Sequence, residues 1–249
     1  MKLKQLMALS ALCLVAVRAD AGEVRAAVAA NFTVPMQKIA ESFQADTGHT
    51  VKLSFGSTGK FYSQVKNGAP FDVLLAADDT TPARMAKEGL AEPASQFTYA
   101  IGKLVLWSKK PGLVDGNGQV LKGRFDKLAI ANPKLAPYGL AAQEALEKLG
   151  LWSGLQDRIV MGESISQTMQ FADTGNADMA FIALSQTIKD GKTIDGSQWL
   201  VPAALYTPIR QDAVVLAAAQ DKAAAEAFTK YLKGAKAVAV IKGFGYGLP

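Results

Sequence analysis

The feature that most constrains this chain is a junction that recurs along it: a short apolar strand, a few small polar residues, then a helix. Val24–Ala30 is the first such strand. Asn31 and Thr33 interrupt it, and Phe32, Met36, Ile39, Ala40 and Phe43 follow at i, i+4, i+7, i+8 and i+11. That spacing lays one apolar face along a helix. Asn31 is a capping residue type, and Pro35 falls in the first turn, where backbone N–H groups lack intrahelical partners. Free N–H groups at the positive end of a helix dipole favour an anion. One junction of this kind says little, but three more follow.

The second runs from the strand Val51–Phe55 through Gly56-Ser57-Thr58-Gly59-Lys60 into a helix carrying Phe61, Tyr62 and Val65, closed by Asn67-Gly68. It is not a nucleotide-binding loop. Ser54 stands where that motif needs its first glycine, and Phe61 where it needs a magnesium-ligating hydroxyl. In the third, strand Leu128–Ala131 leads through Asn132–Pro137 to a face of Tyr138, Ala141, Ala142, Ala145, Leu146 and Leu149, ended by Gly150. In the fourth, Arg158–Met161 precedes the cap candidates Glu163 and Ser164, and Ile165, Thr168, Met169 and Ala172 continue to Gly175.

Between the junctions, Phe71–Ala77 reads as a buried strand, and Asp78-Asp79 as caps of a Thr80–Gly89 helix instead of metal ligands. Ala100–Ser108, with a lead-in from Phe97, reads as one long strand, and Pro111–Gly123 as a solvent loop. Met179–Leu184, Leu200–Pro202 and Ala213–Ala219 are further strands. Phe228, Leu232, Val238 and Ile241 mark a closing helical pair broken at Gly234. Alternating strands and helices imply an α/β fold, with parallel sheets flanked by helices. Two junctions precede the Phe97–Ser108 segment and two follow it. The expectation is two lobes facing a shared cleft and joined by two crossings.

Met1–Ala21 has the pattern of a cleaved secretory signal: Lys2 and Lys4, the apolar run Leu6–Val17, and Ala19-Asp20-Ala21. The run is too short to span a bilayer as a helix. Cys13 sits inside it, not at its end, which argues against a lipoprotein. Cys13 is the sole cysteine, so a chain starting near Gly22 has neither disulfide nor thiolate chemistry. Export without disulfides points to a periplasm. Lys2, Lys4, Arg18 and Asp20 leave with the signal, so the formal net charge of +5 becomes +3. No basic cluster points to nucleic acid or a membrane surface.

Enzymatic chemistry finds little support. His49 is the sole histidine and follows Gly48 in a turn. No HExxH or G-x-S-x-G pattern occurs. The junctions offer Asn31, Ser57, Thr58, Tyr138 and Ser164, all neutral donors, with Lys60 and Lys134 read as solvated surface lysines. Such a cleft can hold a dianion and still release it.

Val28–Thr33, Gly68–Asp78, Asn132-Pro133 with Pro137-Tyr138-Gly139 and Glu144-Ala145-Leu146, and Phe228–Gly234 together resemble the periplasmic molybdate-binding proteins of ABC transporters. These are type II periplasmic solute-binding proteins, and the resemblance spans the chain after the signal. It implies residues 22–100 plus about 210–249 as lobe I and about 101–209 as lobe II, joined by two hinge strands. It further implies a non-catalytic, monomeric carrier without a cofactor, which closes on molybdate or tungstate and delivers it to an inner-membrane permease.

By position, the implied ligand contacts are Asn31, the Ser57-Thr58 pair, Tyr138 and Ile165, the last through its backbone N–H. The best-known branch has a tyrosine at the position of Ala183 and a small residue at that of Tyr138. Tyr138 is therefore expected to fill the cleft wall and offer its hydroxyl. A sulfate or phosphate carrier on the same scaffold is the alternative, although phosphate, partly protonated near neutral pH, wants an acceptor. A secreted hydrolase and an interaction protein with a degenerate cleft are the readings from other classes.

Overall fold

The computed structural model describes residues 21–249, so the signal segment and Cys13 lie outside the described residues apart from Ala21. Two five-stranded sheets organise the rest. The first contains β1 (Glu23–Ala29), β2 (Thr50–Gly56), β3 (Val73–Leu75), β4 (Phe97–Gly102) and β12 (Ile209–Val215), in the order β2-β1-β3-β12-β4. The second contains β5 (Leu104–Ser108), β6 (Leu128–Ala131), β7 (Ile159–Gly162), β8 (Met179–Ala183) and β11 (Ser197–Leu200), in the order β11-β5-β8-β6-β7. A small hairpin, β9 (Ile188–Lys189) with β10 (Lys192–Thr193), completes the strands.

The helices are α1 (Thr33–Thr47), α2 (Thr58–Lys66), α3 (Thr80–Lys87), α4 (Pro137–Lys148), the single turn α5 (Trp152–Leu155), α6 (Ile165–Asp173), α7 (Lys222–Leu232) and α8 (Ala235–Gly243). They cover both faces of each sheet. On β1, Val24, Ala26 and Val28 pack with Phe32, Met36, Ile39 and Phe43 of the α1 side, while Ala27 points to Phe61 and Val65 of α2. That alternation is the two-residue period of a strand buried on both sides. The second sheet does the same, with Leu104 and Leu106 on one face of β5 and Val105 and Trp107 on the other.

Two expectations are corrected. The stretch Phe97–Ser108 is not one strand: β4 ends in the first sheet, Lys103 intervenes, and β5 begins in the second. The sheets are also mixed. β2-β1-β3 and β7-β6-β8 are parallel, but β12 runs antiparallel to β3 and β4, and β5 antiparallel to β8 and β11. The parallel neighbours are linked by crossover helices, whereas β12 and β5 enter straight from the other sheet without one. The chain thus crosses between the sheets at Lys103 and again between Leu200 and Ile209.

Candidate functional site

The junctions read from the sequence sit at the carboxyl ends of β1, β2, β6 and β7, where open α/β sheets bind ligands. Asn31, Ser57, Thr58, Tyr138 and Ile165 all line a single cavity of about 10 Å³, completed by Gly56, Pro137 and alanines including Ala77. Two junctions come from each sheet. The cavity therefore lies between the two halves of the chain. No carboxylate, lysine or arginine lines it. A polar vestibule of about 580 Å³ shares Gly56 and Ser57 with it and carries an ion pair between Lys60 and Glu163. Lys60 is thus paired across the cleft instead of merely solvated.

The donors have distinct environments. Ser57, in extended conformation ahead of α2, is buried with a hydroxyl that has no protein partner. Thr58 is also buried, and its Oγ1 accepts from the backbone N–H of Ala77 at 2.9 Å, which leaves its proton to donate. Thr58, Tyr138 and Ile165 occupy the first turns of α2, α4 and α6, where backbone N–H groups have no intrahelical partner. Ser164 caps α6 as expected, accepting from Gln167 N at 3.3 Å.

Asn31 departs from the capping role. Ala30–Phe32 forms a 3-10 turn before α1, so the residue preceding α1 is Phe32 and the Asn31 side chain caps nothing. Its amide nitrogen instead donates to Gln211 Oε1 at 2.6 Å and Tyr246 Oη at 3.0 Å. The Asn31 backbone carbonyl accepts from Tyr246 Oη at 2.8 Å and Ser185 Oγ at 2.9 Å.

Tyr138 supplies part of the wall, and its hydroxyl reaches Gly102 at the end of β4. The hydroxyl is buried against β4 beside the Tyr246 hydroxyl, without a well-formed hydrogen bond, and a β-carbon on Gly102 would lie 2.2 Å from it. The glycine makes room for the ring tip. Burial, with Tyr246, Tyr99 and Tyr206 nearby, holds the Tyr138 pKa well above the ordinary phenol value, so the hydroxyl stays protonated. Ala183 belongs to the same core cluster as Tyr138 and does not line the cavity.

Sequence reasoning missed Gln211, Ser185 and Tyr246, which fix Asn31 from 180, 154 and 215 residues away. A bulge between Gln211 and Asp212 marks where β12 changes register beside Asn31, and no local pattern announces it. Among the described residues no cluster of His, Cys, Asp or Glu could hold a metal ion. No helix among them is long and apolar enough to cross a membrane.

Two α/β halves joined by two crossings, with helix starts from both converging on one uncharged cavity, define a two-lobe solute-binding protein. The comparisons with known proteins specify the family. A family model described as bacterial extracellular solute-binding protein matches residues 24–247, and the chain belongs to that family. It is 59% identical over 236 residues to the molybdate-binding protein ModA of Azotobacter vinelandii, covering 94% of each chain. It is 51% identical over 232 residues to ModA of Rhodobacter capsulatus, covering 93% of this chain and 90% of that one. The solved structure of the Azotobacter vinelandii periplasmic molybdate-binding protein superposes with a TM-score of 0.89 and 47% identity, covering 91% of this chain and 99% of that one.

Proposed function

We propose that this protein captures molybdate or tungstate between its lobes in the periplasm and hands it to an inner-membrane ABC permease. Residues 22–100 with about 210–249 form one jaw and about 101–209 the other. Asn31, Ser57, Thr58, Tyr138 and Ile165 contact the oxyanion, with Tyr138 and Ile165 using backbone N–H groups. The carrier works as a monomer, without a cofactor, catalysis or nucleic acid. The observation that carries this reading is the convergence of those five residues, from both halves, on one small cavity lined by neutral donors. A dianion there meets hydrogen-bond donors and helix N-termini and no carboxylate. The names of the relatives at 59% and 51% identity support molybdate as the anion.

Calorimetric titration with molybdate, tungstate, sulfate and phosphate tests the proposal. Molybdate and tungstate are expected to bind tightly and to raise the melting temperature by mass action. Sulfate is expected to bind far more weakly. Equal affinity for sulfate favours the sulfate carrier, and no binding of any oxyanion refutes both.

A further inference from the structure

Gly59 is a helical glycine without a local reason to be one. It is the second residue of α2, and its φ is not in the left-handed region that requires glycine. Glycine costs helix stability relative to alanine, so its presence asks for a cause elsewhere. The cause lies across the cleft. A β-carbon on Gly59 would meet Cα and the carbonyl oxygen of Leu135 at 3.1 Å each, backbone atoms of the loop that leads into α4. The Gly59 N–H, free of any intrahelical partner at this position, donates to the Leu135 carbonyl at 2.9 Å. The Lys60–Glu163 pair lies one residue further on, and Thr58, one residue before, lines the cavity.

We propose that Gly59 sets how far the lobes close, through a backbone-to-backbone latch with Leu135 that a side chain at this position would push apart by a few tenths of an ångström. This rests on the reading above, that the cleft closes on an oxyanion. In an open cleft the Gly59 N–H faces water. Closure brings Leu135 onto it, and the same approach brings α2 and α4 to the distance at which their first turns reach one anion. A methyl group at position 59 wedges the jaws apart, because the atoms it meets are backbone and cannot swing away as a flexible side chain does. The site then loses contacts from both lobes together.

The test compares wild type and Gly59→Ala by calorimetric titration with molybdate and by melting of the ligand-free proteins. The variant is expected to bind at least about fivefold more weakly, the lower end of what overpacking costs. Its ligand-free melting temperature is expected to be equal or higher, since alanine suits a helix better. Amide exchange at Gly59 in the wild type supplies a readout that needs no variant: molybdate is expected to slow it at least tenfold. Binding by Gly59→Ala within twofold of wild type overturns the latch. So does equal Gly59 protection with and without molybdate, or a ligand-free melting temperature that falls, which assigns the glycine to folding. A wild type that binds no oxyanion overturns the functional reading and the latch with it. Wild-type binding with an unaffected variant overturns the latch alone.

Discussion

Replacing Tyr138 by phenylalanine separates two roles for a residue on the cavity wall. The phenol oxygen is buried, makes no well-formed hydrogen bond and lies against the Gly102 backbone. Burying a hydroxyl without a partner costs about 1–3 kcal/mol in protein mutational data. Tyr138→Phe removes that cost and leaves a small void beside Gly102, so a net stabilisation of about 1 kcal/mol is expected. In a protein of this size that raises the melting temperature by about 2–4 °C. The ring remains on the wall and the backbone N–H is untouched, so molybdate affinity is expected to stay within about threefold, or roughly 0.7 kcal/mol. A hydroxyl that donated to the anion would behave oppositely. Its loss would remove about 1.5–3 kcal/mol, weakening binding roughly 10- to 150-fold. Scanning calorimetry of the ligand-free variant and titration with molybdate decide the matter. A tenfold loss of affinity, or a lowered melting temperature, refutes the assignment of the hydroxyl to Gly102 at the end of β4.

In binding, Ser57 is expected to respond unlike Tyr138, because it is a residue of the cavity lining whose hydroxyl has no protein partner. Ser57→Ala is expected to weaken molybdate binding roughly 10- to 150-fold in a titration, with ligand-free stability unchanged or higher. Asp72 governs stability instead of binding. Its carboxylate is buried and accepts from Arg25 Nε at 2.9 Å, Arg25 Nη2 at 2.7 Å and the backbone N–H groups of Arg25 and Gln220 at 2.7 Å each. Burial pushes its pKa up, but these hydrogen bonds together outweigh it and hold the group below the ordinary carboxylate value. Its contribution is therefore present above that value and is lost as pH falls through the folded pKa. Asp72→Asn is expected to cost about 3 kcal/mol in neutral denaturant melts, the low end for a broken buried pair because Arg25 is partly exposed. The difference from wild type is expected to shrink in acid.

Much of the fold was legible because it is local. The face of Phe32, Met36, Ile39 and Phe43 is buried as its spacing requires, and Gly234 separates α7 from α8 where the periodicity breaks. What failed was whatever depends on a distant partner. Both halves of Phe97–Ser108 are β-forming, so nothing local says that the chain changes sheets at Lys103. Asn31 looks like a helix cap in its own neighbourhood and is claimed by Gln211, Ser185 and Tyr246. Tyr138 was legible as a wall residue, but the direction of its hydroxyl depends on Gly102 in another sheet. The candidate site was readable as a set of positions, since helix starts carry their own signals. The division of work among those positions was not.

The same division explains how such a site can hold an anion and still let go. The hydrogen bonds made across the cleft near the cavity have neutral donors and acceptors: Gly59 N–H on the Leu135 carbonyl, Ser185 Oγ on the Asn31 carbonyl, Ser166 Oγ on the Ala30 carbonyl and Tyr246 Oη on Ser185 Oγ. Hydrogen bonds of this kind contribute about 0.5–1.5 kcal/mol each, and water replaces them readily on opening. The ion pair between the lobes near the cavity, Lys60 with Glu163, stands at the exposed mouth, where its worth is at most about 1 kcal/mol and falls with salt. A buried pair across the cleft would have left two uncompensated charges whenever the lobes parted. With neutral contacts inside and the charge at the rim, the free energy of closing comes mainly from the ligand's own bonds to both lobes. Closure is then conditional on the anion, which is the property a carrier needs if its empty and loaded forms are to differ in shape.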